Sequence, residues 1–136
     1  MTHRHKITAA EYAKLLGFRT ALRRFLHWSE DEARAAGLMP AQHQLLLAIK
    51  GHPDAAAPTV GDLSDHLVLK HHSVVGLVDR AVSAGLVRRE RDEQDHRVVR
   101  LLLTPLAEER IENLSRLHLE ELRRLAPLLG ALQEDR

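Results

Sequence analysis

From His71 to Ala84 the apolar residues Val74, Leu77, Val78, Ala81 and Val82 recur at i, i+3, i+4, i+7 and i+8, the spacing that lines one face of an α-helix. Gly85 follows where a left-handed stop carries no steric penalty, because glycine has no Cβ. Next come Leu86-Val87-Arg88-Arg89, a charged stretch from Glu90 to His96 and the β-prone run Arg97 to Leu103. Together they predict a two-stranded hairpin with a long, solvated tip. Upstream, Thr8 and Glu11 form a capping pair, and Leu15, Phe18, Leu22, Phe25 and Leu26 keep helical spacing. A long first helix to about Ala36 is expected, ended by Gly37. Pro40 opens a second helix to about Lys50 that buries Leu45, Leu46 and Ile49, since proline suits a first helical position. The stretch Gly51 to Pro58 reads as a loop. Thr59, with Asp62 three residues on, caps a short helix carrying Leu63 and Leu67, and Val68 to Lys70 make the turn.

Thr104-Pro105 starts a last helix by the same N-cap rule. Positions 111, 115, 118, 122, 125, 129 and 132 step by four and three, and Leu114, Leu117, Leu119 and Leu128 widen the stripe beyond what one small domain covers. A partner helix is therefore expected. Pro127 lacks an N–H and crowds the preceding turn, so it should interrupt or restart that helix. Helix, turn, helix, glycine stop, hairpin is the order of a winged helix-turn-helix. The fold class expected is mainly α with a small β-hairpin wing.

The length of 136 residues suits one domain. Charge is near balance, with 20 Lys and Arg against 19 Asp and Glu. Between Thr59 and Thr104 the cations at 70, 80, 88, 89, 91, 97 and 100 face an equal number of anions at 62, 65, 79, 90, 92, 93 and 95. Affinity for a nucleic acid must then come from where charges sit, helped by histidines at 66, 71, 72 and 96. The absence of cysteine excludes disulfides, thiolate zinc sites and thiol oxidation switches. With no bilayer-length apolar run and no signal-peptide pattern, the chain is expected in the cytoplasm, away from membranes. The adjacent His71 and His72 diverge by about 100° on a helix and do not readily share a metal ion. Ser, His and Asp between positions 71 and 79 lie on one short helix without an oxyanion nest, so no hydrolase triad is expected. No enzyme activity, metal or cofactor is assigned.

The segments Leu77-Val78-Asp79-Arg80, Gly85-Leu86-Val87-Arg88-Arg89, Asp92, Asp95-His96-Arg97 and Leu103-Thr104-Pro105 resemble the helix-and-wing signature of the MarR (multiple antibiotic resistance regulator) family. Gly37-Leu38-Met39-Pro40-Ala41-Gln42 with Leu45-Leu46-Leu47 is similar to the junction of that family's first two helices. The resemblance implies one domain, with dimerisation helices at about 8–36 and 104–136 and a winged helix-turn-helix lobe at about 40–103. It implies a homodimer that binds double-stranded DNA and regulates transcription. His71, His72, Ser73, Val75 and Gly76 would lie along base edges, Lys70 and Arg80 would meet phosphates, and Arg97, braced by Asp95, would enter the minor groove. Val75 and Gly76 stand where many members carry Thr and Arg, which implies fewer base contacts. Phe25, His27, Trp28 and His43 fall where such proteins form a pocket for small aromatic or anionic effectors. The rival expectation is a winged-helix protein-interaction module that has lost DNA binding. The neutral charge favours that rival, and Arg97 at the wing tip speaks against it.

Overall fold

The computed structural model describes residues 4–131. Helices α1 (Ala9–Ala35), α2 (Pro40–Lys50), α3 (Val60–Leu67) and α4 (His71–Ser83) are followed by strands β1 (Val87–Arg91) and β2 (Val99–Leu103) and by α5 (Pro105–Ala131). Local chemistry sets most boundaries. Glu11 N donates to Thr8 Oγ1 at 3.1 Å and Thr8 N to Glu11 Oε1 at 3.0 Å, a reciprocal cap that satisfies two end donors of α1. Thr59 and Asp62 repeat the arrangement at α3, at 3.0 and 3.2 Å. Gly37 and Gly85 take φ of 79° and 74°, the left-handed region that stops α1 and α4. Val68 closes α3 at φ 53° and ψ 49°, a conformation unfavourable for a β-branched residue.

The hairpin is antiparallel, with Val87 opposite Leu103 and Arg91 opposite Val99. Its strands run to Arg91 and from Val99, so the tip covers 92–98 rather than Glu90 to His96, and it is structured rather than merely solvated. Asp92 Oδ2 accepts from the amides of Gln94 (3.1 Å) and Asp95 (2.9 Å), and Asp95 Oδ1 accepts from the amide of Arg97 (3.1 Å). Short aspartate side chains replace ladder bonds here.

One core joins every element. Leu45, Leu46 and Ile49 of α2, Leu63 of α3, Val74, Leu77, Val78 and Ala81 of α4 and Leu86, Val87 and Leu101 of the wing are buried together. Ala33 of α1 and Ala107, Ile111 and Leu114 of α5 close its far side. Lys50 Nζ and Glu108 Oε2 add an ion pair at 2.8 Å between α2 and α5. Much of α1 outside this core is bare. Tyr12, Leu15, Leu16, Phe18, Leu22 and Leu26 are all exposed, Leu16 at 65 %, and Leu117, Leu119 and Leu122 of α5 are exposed too. The side chains of Leu128 and Leu129 and all of Leu132 lie outside the described residues.

One expectation fails. Helix α5 continues through Pro127 to Ala131 without interruption. Proline there removes a single N–H···O bond. Because Arg123, Arg124, Ala126 and Pro127 are exposed, the carbonyl that loses its partner can turn to water. Among the described residues, no helix is long and apolar enough to cross a membrane.

Leu101 is fully enclosed where the wing meets α2 and α3. Leu101→Ala should lower unfolding free energy by roughly 2–5 kcal/mol in urea at fixed protein concentration, the cost of a lost side chain plus the cavity it leaves. A loss below about 1 kcal/mol would show that the wing does not share the core.

Candidate nucleic-acid interface

Burial of Val74, Leu77, Val78 and Ala81 turns one face of α4 inward, so the opposite face carries His71, His72, Val75, Asp79 and Arg80 at the surface. Ser73 and Gly76 are half-buried along its edge. Lys70 is the N-cap residue and makes no side-chain cap bond. The first-turn amides therefore keep the partial positive charge that attracts anions. Among the described residues, Lys70, His71, His72 and Arg80 hold no side-chain hydrogen bond or ion pair. A Cβ built at Gly76 would sit 3.5 Å from Arg80 Nη1, so the Arg80 side chain lies back over the glycine. Asp79 leaves this group, because it pairs with Arg89 of β1 and ties α4 to the wing. That pairing also removes an anion from the exposed face.

At the wing tip Arg97 is 90 % exposed and forms a forked pair with Asp95, with Nε at 3.1 Å from Oδ1 and Nη2 at 3.3 Å from Oδ2. The Arg97 side chain first, and its backbone amide second, hold the Asp95 carboxyl below the usual carboxylate range. Behind the tip stands a tie that sequence reasoning missed. Arg100 Nε donates to Asp92 Oδ1 at 3.0 Å, and Arg100 Nη1 donates to the Ala57 carbonyl at 2.9 Å. The wing is thus pinned to the loop before α3. Asp92 is likewise held low, by the Asp95 amide first and Arg100 next. Alternation along a strand gave no hint of Arg100, since its partner Ala57 lies 43 residues away.

The expected effector residues divide. Phe25 and Trp28 of α1 pack with ring centroids 6.0 Å apart, and His43 of α2 joins them through His118 of α5, at 4.8 Å from both Trp28 and His43. His27 is not among them and is exposed. It stands two positions after Phe25, about 200° around the helix, whereas Trp28 and Ser29 follow at three and four. His118 was counted only as one step of the leucine stripe, and a lone histidine within that stripe was the available signal. Its Nδ1 donates to the Leu114 carbonyl at 2.7 Å, which leaves Nε2 to accept from Ser29 Oγ at 2.7 Å in the neutral ring. His43 is 3 % exposed. Burial first, and the charge of His118 second, push its pKa down to about 4.

A model of the MarR family matches residues 36–98. YcgE, an uncharacterized HTH-type transcriptional regulator of Bacillus subtilis, is 34 % identical over 99 residues. Those residues make up 73 % of this chain and 58 % of YcgE, so the chain spans under two thirds of that relative. A MarR family protein from Bacillus stearothermophilus superimposes with a TM-score of 0.72 at 29 % identity, over 90 % of this chain and 82 % of its own. A mutant MepR of S. aureus bound to an oligodeoxyribonucleotide gives 0.67 at 20 % identity over 90 % and 84 %, a likeness of fold. The fold is a winged helix-turn-helix, the fold of these MarR family structures. Over residues 36–98 the chain is similar to the MarR family.

The buried His43 makes folding pH-dependent. Its folded pKa of about 4 lies below the ordinary 6.5, so the unfolded chain takes up the proton first. Stability from this group is intact above pH 6.5 and falls as pH drops toward 4, by about 3 kcal/mol in all. Urea midpoints measured from pH 7.5 to 4.5 should decline steeply in the native protein and more gently in His43→Leu. Parallel curves would remove His43 as the cause.

Proposed function

We propose that this chain works in the cytoplasm as a homodimeric, sequence-specific DNA-binding repressor that grips a pseudo-palindromic operator. The observation that carries the reading is an uncapped α4 N-terminus, flanked by Lys70, His71 and His72 without protein partners, beside a wing that holds Arg97 out in solvent. A major groove admits such a helix. In this reading His71, His72, Ser73 and Val75 meet base edges, Val75 against a thymine methyl, and Gly76 allows close approach. Lys70 and Arg80 neutralise phosphates, which supplies affinity despite the balanced overall charge. Arg97 enters the flanking minor groove, pre-oriented by Asp95.

The bare stripe Leu15, Phe18, Leu22 and Leu26 on α1, together with the exposed leucines of α5, supports pairing of two copies through both chain ends. Two recognition helices then stand about 34 Å apart, the spacing of successive major grooves. A small molecule seated where α1 meets α2 would release the operator by changing that separation. Near-neutral charge favours a second reading, a winged-helix module that binds protein and has lost DNA.

Two measurements test this. Arg97→Ala should weaken binding to all A·T-flanked operators and reduce the salt slope by roughly one phosphate equivalent. Ser73→Ala or His72→Ala should instead cost on the order of 1–3 kcal/mol at particular base pairs with the slope nearly unchanged. If Arg97→Ala matched the native protein across a salt series, the interaction-module reading would prevail. Separately, the double substitution Leu15→Asp and Leu22→Asp should give a folded monomer by light scattering, with circular dichroism unchanged; a persistent dimer would place the interface elsewhere.

A further inference from the structure

A cleft of about 190 Å³ opens where α1 faces α2. Leu26, Pro40 and Ala41 give it apolar walls, and Ser29, Glu30, His43 and Gln44 contribute its polar groups. Of these, Glu30, His43 and Gln44 hold no side-chain hydrogen bond with any described residue. The His43 ring forms no hydrogen bond with any described residue, although the residue is 97 % enclosed by the 3 % exposure above. Among the described residues, no fully enclosed side-chain nitrogen or oxygen lacks a partner. The ring nitrogens of His43 must therefore touch accessible space, and the cleft is the space this side chain lines. Glu30, half-buried on α1, likewise holds no ion pair with any described residue.

The charges around the cleft select its occupant. No lysine or arginine lines it. His43 cannot serve as a cation, being neutral until pH approaches 4. An anion would meet Glu30 without compensation, whereas a cation would gain a partly desolvated, charge-assisted hydrogen bond. The volume falls below the roughly 300–1,000 Å³ of sites for drug-sized ligands, so a single ring or a short branched chain fills it.

We propose that this cleft binds a small protonated amine, its ammonium on Glu30, its apolar body against Leu26, Pro40 and Ala41, and a polar atom hydrogen-bonded to His43. The expected anionic effector does not suit this place. Helix α2 carries His43 and also Leu45, Leu46 and Ile49, which share the core with Val74, Leu77 and Val78. An occupant that parts α1 from α2 thus shifts the seat of α4. That consequence for DNA rests on the repressor reading above, and amine binding does not.

The test uses the full chain and three probes of one size: benzylamine, benzyl alcohol and benzoate, followed by calorimetry. Benzylamine should bind once per chain, at least about tenfold tighter than either of the others. Glu30→Gln should erase the preference for amine over alcohol, and His43→Phe, which fills the floor, should weaken all binding. No saturable benzylamine binding, equal binding of benzoate, or an undiminished preference in Glu30→Gln would each overturn the proposal. So would dissociation of a dimer in Glu30→Gln, which would assign that carboxylate to the contact between copies. If benzylamine binds as expected and the protein fails to retain any DNA from a random pool, the site stands and the repressor reading falls.

Discussion

The burial of Val74, Leu77, Val78 and Ala81 fixes the roll of α4 about its own axis, and the chain's outer surface depends on that roll. A helix turns about 100° per residue, so choosing which four side chains go inward chooses which ones remain outside. Apart from Asp79, which pairs with Arg89, no side chain of the exposed face forms an ion pair among the described residues. Among the described residues His71, His72 and Arg80 hold no side-chain hydrogen bond or ion pair, so these positions can vary while the fold stays the same. The glycine at 76 fits this division: with no side chain of its own, it leaves room for Arg80 to lie back over it.

Net charge is a poor guide to this molecule because its ions are largely consumed in pairs. Asp79 ties down Arg89, Asp92 holds Arg100 and Glu90 meets Arg88. These pairs stiffen the wing and its attachment to α4 and to the loop before α3. Among the described residues Lys70 and Arg80 stay unpaired at α4, whereas the unpaired carboxylates Asp65 and Glu93 lie on α3 and at the wing tip. A balanced sum over the lobe thus conceals an uneven distribution, which is the quantity a phosphate backbone senses.

Elements governed by neighbours in sequence were legible. The boxes Thr8 with Glu11 and Thr59 with Asp62, and the stops at Gly37 and Gly85, are decided within four residues, and all appear as read. The apolar periodicity of α4 was equally plain. What escaped depended on distant partners: Arg100 on Ala57, and His118 on Ser29, 89 positions earlier. His27 was misjudged because proximity in sequence was taken for proximity on a helix face. Pro127 was misjudged in the opposite sense, since a rule for helix interiors was applied at an exposed end where one lost bond is tolerated. DNA-reading roles for the α4 residues rest on placement alone, because groove recognition leaves no mark on the protein's own packing.

Val68 leads furthest from the fold itself. A β-branched residue at φ 53° costs on the order of 1–2 kcal/mol relative to an ordinary conformation, and here it sits at the turn between α3 and α4. Local preference therefore opposes the turn, and the angle between the two helices is imposed by Leu63, Val74 and Leu77 meeting the leucines of α2. A peptide cut from Thr59 to Ala84 would lose that clamp and keep the strain. The helix-turn-helix of this chain is accordingly not a portable cassette: grafted onto another scaffold it would need α2 as well, or a glycine at the turn.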